Sequence, residues 1–309
     1  MANFTRRIVV SLWRGLPLRL RTLLKSVDRR YLRPTRRFAT SPFRGEPTFF
    51  IIGAMKGGTT SLYRYLSEAP DVAMAMVKEV EYFTLHHDRS RAWYRSRFPL
   101  RVNNSSSVRG EATPYYLFHP YAPARLAAAY PDAKLIVLLR EPVARAVSHY
   151  VAMAASGREP LTLAGAVRRE MEEPGTPDEI VRAGGPELER SLHRVNSYVG
   201  RGFYAEQLDR WLEYFPRSAM FIGRSEDLFD RPQLFMDEVS QFLGVSPLPG
   251  SVVYEVHNPG LRLPLSRADE DLASAVEALE TIYKASNADL LDRYGIGWDE
   301  TIGGEPLGE

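Results

Sequence analysis

The segment Gly53-Ala-Met-Lys-Gly-Gly-Thr-Thr-Ser61 gathers the residue types that hold an anion: Lys56, the adjacent Gly57 and Gly58, and the hydroxyls of Thr59, Thr60 and Ser61. It stands between an apolar run and the start of a helical pattern, so backbone N–H groups at the helix start point at whatever the loop encloses. An ordinary glycine turn with a Ser or Thr N-cap accounts for the threonines. It gives no role to a lysine placed just before two glycines. A nucleoside-triphosphatase loop reads G-x-x-x-x-G-K-[ST]. Gly53 and Gly58 have that separation, but Thr59 stands in the lysine position and the lysine comes earlier, at Lys56. The apolar run Lys134–Leu139 ends in Arg140, where an acid would be needed to hold Mg²⁺. An arginine there holds a second phosphate directly. The pattern suits a phosphorylated nucleotide bound without a metal, and it argues against a kinase or ATPase.

These residues need strands and helices to position them. Thr48–Ala54 is a short apolar run of the kind that forms a buried strand, and Ser61–Leu66 begins a helical pattern. Lys134–Leu139 predicts a second buried strand, with a helix opening at Pro142 and continuing over Val143–Ala155. Phe203–Tyr214 reads as an amphipathic helix with Leu208 and Trp211 inward. Ala219–Ile222 reads as a third strand, and Gln233–Leu243 and Asp269–Tyr294 as helices. Strands alternating with helices predict an α/β fold with a central parallel sheet covered by helices on both faces. Gly157–Gly185, rich in Gly, Pro and acids, reads as a mobile excursion over the site.

The chain has 309 residues with 44% hydrophobic and 25% charged, which excludes a wholly disordered or collagen-like protein. It has no cysteine, so disulfides, thiolate catalysis and cysteine-ligated zinc are excluded. The net charge of +2 conceals an asymmetry: residues 1–45 hold twelve Lys or Arg and one acid, Asp28, leaving −9 on the rest. Residues 8–24 mix apolar residues with Arg14, Arg19 and Arg21 and never reach the roughly 18–20 apolar residues of a membrane span. Arginines within that stretch and the lack of a small-residue cleavage site argue against a cleaved signal. Such a basic amphipathic arm fits an anionic membrane surface. The plainer reading is a solvated tail or a helix packed on the body. Nucleic acid is not an expected partner, because apolar residues rather than stacking aromatics separate the charges. Arg33–Pro47 reads as a linker, giving an arm and linker over 1–47 and one domain over 48–309. The expected location is the cytoplasm, with the inner membrane face as the place of contact if the arm binds there.

Taken together, the motifs resemble the sulfotransferases that use 3′-phosphoadenosine 5′-phosphosulfate (PAPS). Lys56-Gly-Gly-Thr-Thr-Ser61 is similar to their 5′-phosphosulfate loop, and Leu139-Arg-Glu-Pro-Val-Ala-Arg-Ala-Val-Ser148 to their 3′-phosphate motif. Lys78-Glu-Val-Glu-Tyr-Phe83, Trp93-Tyr94, Gly110-Glu-Ala-Thr-Pro-Tyr115 and Arg201-Gly-Phe-Tyr-Ala-Glu-Gln-Leu208 resemble the heparan-sulfate N- and 3-O-sulfotransferase branch and its bacterial relatives. The resemblance spans about Phe49 to Asp299. It implies a P-loop-like three-layer sandwich, PAPS as co-substrate, no metal, and a carbohydrate acceptor. A lipid-linked alcohol is a second acceptor class, suggested only by the arm.

The resemblance also implies roles. Lys56 lies against the bridging oxygen of the leaving phosphate. Gly57, Gly58, Thr59, Thr60 and Ser61 supply donors to the 5′ group, and Arg140 and Ser148 bind the 3′-phosphate. Glu79 is the base that takes the acceptor's proton. Glu81, read as lying on the same side of a strand as Glu79, is the second candidate. Thr84 stands where the family often has Asp, and Ala112 where it often has Lys. A final cofactor loop is reduced to His257-Asn-Pro-Gly-Leu-Arg-Leu-Pro264, from which Gly260 and Arg262 are carried as cofactor contacts. Tyr204 is read as packing or as a contact to the base. His86, His87 and His149 are read as surface or packing residues, since no third metal ligand stands near the pair. The competing reading is a P-loop kinase or a non-catalytic nucleotide-binding protein at a membrane surface.

Overall fold

The computed structural model describes residues 33–101, 108–173, 175–257 and 270–298. Five strands form one parallel sheet: β1 (Phe49–Gly53), β2 (Val72–Met74), β3 (Val108–Ala112), β4 (Lys134–Leu139) and β5 (Met220–Arg224), in the order β2-β3-β1-β4-β5. Alternation along the two central strands divides the core. Phe50 and Ile52 of β1, with Leu135, Val137 and Leu139 of β4, face one layer that contains Tyr116, Leu208 and Trp211. Phe49, Ile51, Ile136 and Leu138 face the other, against Leu62, Tyr65, Met236 and Val239. A sheet buried on both faces must be apolar at every position. All five residues of β1 are buried, as are five of the six in β4. The result is the three-layer sandwich expected from the sequence.

The covering helices begin where the sequence supplies a start. Helix α2 (Thr59–Ser67) opens after Gly58, whose φ of 86° is the left-handed conformation glycine tolerates. The first described helix, α1 (Arg33–Ala39), precedes it. Between β2 and β4 come α3 (Arg91–Arg95), α4 (Tyr115–Phe118) and α5 (Ala122–Ala129). Helix α6 (Pro142–Ala155) has Pro at its first position, and the Glu141 carboxylate caps it by accepting Val143 N–H at 2.9 Å and Ala144 N–H at 2.6 Å. The chain then runs through α7 (Leu163–Glu172), α8 (Asp178–Ala183), α9 (Gly185–Arg190), α10 (Leu192–Val195) and α11 (Tyr204–Leu212). Helices α12 (Ser225–Asp230), α13 (Pro232–Leu243) and α14 (Glu270–Tyr294) complete the body.

Several expectations change. The stretch read as a linker is built onto the body: α1 lies within it, and Arg44, 8% exposed, donates to Phe98 O at 2.5 Å. The excursion over Gly157–Gly185 contains α7 and α8 rather than a bare loop. It is anchored, because Glu170 accepts the N–H groups of Tyr198, Val199 and Gly200 at 2.6–2.8 Å. Two strands were not anticipated. β2 has only three residues, and β3 (VRGEA) lacks an apolar pattern for two structural reasons. Phe49 packs over Gly110, where an added Cβ would meet the ring at 2.1 Å, and Glu111 is fully buried. The arm over residues 1–32 and the positions Gly260 and Arg262 lie outside the described residues.

Candidate active site

The phosphate loop lies at the carboxyl end of β1, between the two central strands and the start of α2. Ala54 N–H donates to Leu138 O at 2.7 Å, and Gly57 N–H returns to Ala54 O at 3.0 Å, which closes the turn. A Cβ at Gly57 would stand 2.5 Å from Leu138 O, so only glycine permits this approach. Leu62 N–H reaches Gly58 O, and among the described residues the N–H groups of Thr59, Thr60 and Ser61 have no backbone acceptor, as at the first turn of any helix. Lys56 itself has a φ of 69°, uncommon for a side-chain-bearing residue.

Arg140 and Lys56 share this end of the sheet. Arg140 donates to Lys56 O at 3.4 Å, and its own carbonyl accepts the Tyr204 hydroxyl at 2.8 Å. Burial lowers the pKa of both cations, and for Lys56 the neighbouring Arg140 charge lowers it further. Among the described residues Lys56 has no ion-pair partner within 4.0 Å. Two cations held together beside free N–H groups, around a loop with no room for a Cβ, fit a polyanionic ligand. The Glu141 carboxylate, next to Arg140, is occupied as the α6 cap.

Glu79 is held beside the carboxyl end of β3, its N–H donating to Ala112 O at 2.8 Å. It lies in an irregular turn, with φ of 61° at Glu79 and 55° at Glu81, so the strand expected over these residues does not form. Partial enclosure raises the Glu79 carboxyl pKa. Lys78 Nζ at 2.7 Å, with Arg194 and Arg201 behind it, outweighs that effect and holds it below the usual carboxylate range. Its side chain is 45% exposed, open to an incoming group. The Glu79 charge in turn acts on Lys56, placing the two residues within electrostatic reach of each other.

The sulfotransferase domain family matches residues 46–258. The chain belongs to that family. It is 35% identical over 202 residues to heparan sulfate glucosamine 3-O-sulfotransferase 6 of Homo sapiens, covering 64% of this chain and 52% of that protein. It is 28% identical over 265 residues to the membrane-associated sulfotransferase kil1 of Dictyostelium discoideum, covering 65% of this chain and 56% of that one. The crystal structure of a sulfotransferase from Alicyclobacillus acidocaldarius superposes with a TM-score of 0.62 at 28% identity, covering 82% of this chain and 98% of that one. The chain thus spans about half the length of the curated relatives it matches.

Within this sulfotransferase domain the remaining candidates separate. Glu81 is 5% exposed and paired with Arg194, and it accepts Thr84 Oγ1 at 3.2 Å. Glu81 is thus enclosed and ion-paired where Glu79 is open to solvent. Ser61 Oγ is engaged by the backbone of His257, accepting its N–H at 2.9 Å, so the hydroxyl ties the loop to a remote segment. Ser148 is half-buried on α6, the helix that starts beside Arg140. Tyr204 is fully buried and serves as packing and as the anchor of Arg140. His149, read as surface or packing, is wholly buried. It bonds Val195 O at 2.8 Å and is held well below its usual pKa, first by burial and then by Arg201 and Arg145. His86 lies edge-on to Trp93, and His87 Nδ1 is 3.1 Å from Thr84 O. Among the described residues no three His, Asp or Glu come together as a metal site.

Sequence reasoning missed Arg194, whose pattern-free neighbourhood gives no signal, and left Arg201 without a role although it opens one of the quoted motifs. Both are placed by α10 and the turn before α11, and both act on the Glu79 carboxylate. Arg201 is 2% exposed and donates to His193 O at 3.3 Å and Arg194 O at 2.9 Å. Burial pulls its pKa down to about 9.

Proposed function

We propose that this domain transfers a sulfuryl group from PAPS to a hydroxyl, or an amine, of a carbohydrate. The observation that carries the reading is the meeting of Lys56, Arg140 and Glu79, supplied by three separate segments, at one end of the sheet. Lys56 and the first turn of α2 are suited to a 5′-phosphosulfate, and Arg140 with Ser148 to the 3′-phosphate. Glu79, held ionised, accepts the acceptor's proton as the acceptor oxygen bonds to sulfur and the sulfur–oxygen bond to the phosphate breaks. The electron pair leaves with the phosphate, where Lys56 offsets the added charge. A sulfuryl group carries less charge than a phosphoryl, so fixed cations and N–H donors suffice without a metal. The heparan-type relatives support a carbohydrate acceptor, while Thr84 and Ala112 depart from their acceptor-side pattern. A lipid-linked alcohol is the alternative acceptor.

The test is calorimetric titration with 3′-phosphoadenosine 5′-phosphate (PAP) in EDTA, with ATP as control. PAP should bind in preference to ATP, and Arg140→Ala should weaken it by about 10- to 100-fold, the worth of a charge-assisted bond to phosphate. Preference for ATP, or binding only with a metal, overturns the assignment.

A further inference from the structure

The turn that carries Glu79 has no regular structure of its own, and one short stretch of chain takes four of its backbone N–H groups. Glu79 N–H donates to Ala112 O at 2.8 Å and Glu81 N–H to Thr113 Oγ1 at 3.3 Å. Tyr82 N–H donates to the Tyr116 phenolic oxygen at 2.9 Å, and Phe83 N–H reaches the same oxygen at 3.4 Å. A hydroxyl has a single hydrogen. An oxygen that accepts a backbone N–H must therefore direct its own hydrogen to another acceptor. Glu111 is the acceptor in reach. Thr113 Oγ1 donates to Glu111 Oε1 at 3.3 Å and the Tyr94 hydroxyl donates to Oε2 at 2.8 Å, while the buried Tyr116 phenol lies close enough to the same carboxylate to act on its charge.

We propose that Glu111 is a positioning residue for the transfer reaction: its buried carboxylate orients the Thr113 and Tyr116 hydroxyls, and these fix the turn that presents Glu79. The proposal rests on the reading of Glu79 as the base. Packing alone would not require an acid here. A fully buried carboxylate costs several kcal/mol unless hydrogen-bonded, whereas an apolar or amide side chain would fill the same space. The groups facing it are Tyr94 from α3, Tyr116 from α4, Thr113, the Glu81 carboxylate and Tyr130 beyond α5, and among the described residues no cation pairs with it. Burial, reinforced by Glu81, raises its pKa to about 7 against the three hydroxyls.

The sign of the linkage follows. A carboxyl whose folded-state pKa lies above its ordinary 4.5 favours folding most when protonated in both states. That contribution is present below pH 4.5 and is lost as pH rises through about 7. The ionised form is the one that accepts all three hydroxyl hydrogens, so above neutrality the protein gives up stability for a fixed turn. If Glu111 served packing alone, protection of the turn would follow stability and fall as pH rises.

The experiment is amide hydrogen exchange across residues 79–83 at pH 6 and pH 8, corrected for intrinsic rates. It compares the wild type with Glu111→Gln and Tyr116→Phe, each checked by PAP titration and thermal melting. The wild-type turn should be about tenfold better protected at pH 8 than at pH 6. Both variants should lose that protection at pH 8, with β1 and β4 and PAP affinity unchanged. Glu111→Gln should also be insensitive to pH and melt no lower than wild type at pH 8. Unchanged protection in the two variants overturns the proposal, as does a loss that spreads to β1 and β4. If Glu111→Gln does not fold, the wild-type comparison decides: a turn equally protected at pH 6 and pH 8 overturns the proposal. Exchange is read without turnover, so a fully active Glu79→Gln would refute the base assignment separately from the wiring of the turn.

Discussion

The phosphate loop and the Glu79 turn solve the same backbone problem in different ways. Each presents a charged, non-glycine residue with positive φ, Lys56 at 69° and Glu79 at 61°. Such conformations cost about 1–3 kcal/mol and persist only where the surroundings over-determine them. Around Lys56 the constraint is local: a buried strand, two glycines and a helix start, all within Phe49 to Ser67, with β4 alongside. Around Glu79 the backbone constraint is remote, because the turn hangs on Ala112, Thr113 and Tyr116; its charge is held first by the adjacent Lys78 and then by the distant Arg194 and Arg201. One half of the site is written as a motif and the other as a network.

The largest expected effect tests the network half. Glu79→Gln keeps size and the local turn but cannot take a proton. Turnover from radiolabelled PAPS to the carbohydrate acceptor should fall by about 10²–10⁴-fold, the usual worth of a positioned base. PAP affinity should stay within a few-fold. Because the Glu79 pKa is held low, the activity it controls should persist down to pH values below the ordinary carboxylate range before it fails. Retained turnover would move the base elsewhere and erase the contrast between the two halves.

Lys56→Ala attacks the motif half and should lower the same turnover by about 10²–10³-fold, comparable to deleting one donor to a developing anion. Gly57→Ala sharpens the comparison without removing charge. Its Cβ would stand 2.5 Å from Leu138 O and 3.2 Å from Ala54 O, so the loop or β4 must shift. Overpacking of this kind costs about 1–3 kcal/mol. PAP titration should show weaker binding, while exchange protection over residues 79–83 should be unaffected. A variant that binds PAP normally would mean the loop has more room than its geometry shows.

Much of the fold was readable because buried parallel strands are apolar at every position and helices carry start signals. β1, β4, β5 and helices α2, α6, α11, α13 and α14 all fall within a residue or two of where periodicity, Gly58 and Pro142 place them. β3 was hidden because its interior positions hold Gly110, under Phe49, and Glu111, whose partners are hydroxyls rather than apolar groups. The donor residues were legible for a related reason, since Lys56, Gly57 and Gly58 sit in consecutive positions. Glu79 was reached through family resemblance, and the strand assumed for it was wrong. No local pattern announces a turn whose N–H groups at Glu79, Glu81, Tyr82 and Phe83 all reach residues some thirty positions away. Arg194 was invisible for the same reason: only folding brings it to Glu81.

The smallest expected effect lies where the motif half borrows from a distance. Ser61 belongs to the loop by sequence, yet its hydroxyl accepts His257 N–H at 2.9 Å and lies 3.4 Å from His257 O. Ser61→Ala would leave that N–H without its partner beneath a fully buried side chain, at a cost of about 1–3 kcal/mol. The backbone N–H of residue 61 is untouched, so a contact to the 5′ group made through the main chain would survive. Thermal melting should therefore register the substitution while PAP affinity changes by no more than a few-fold. A large loss of affinity with an unchanged melt would show that the hydroxyl leaves His257 to serve the nucleotide, and the division between a local donor half and a remote acceptor half would then hold for the whole loop.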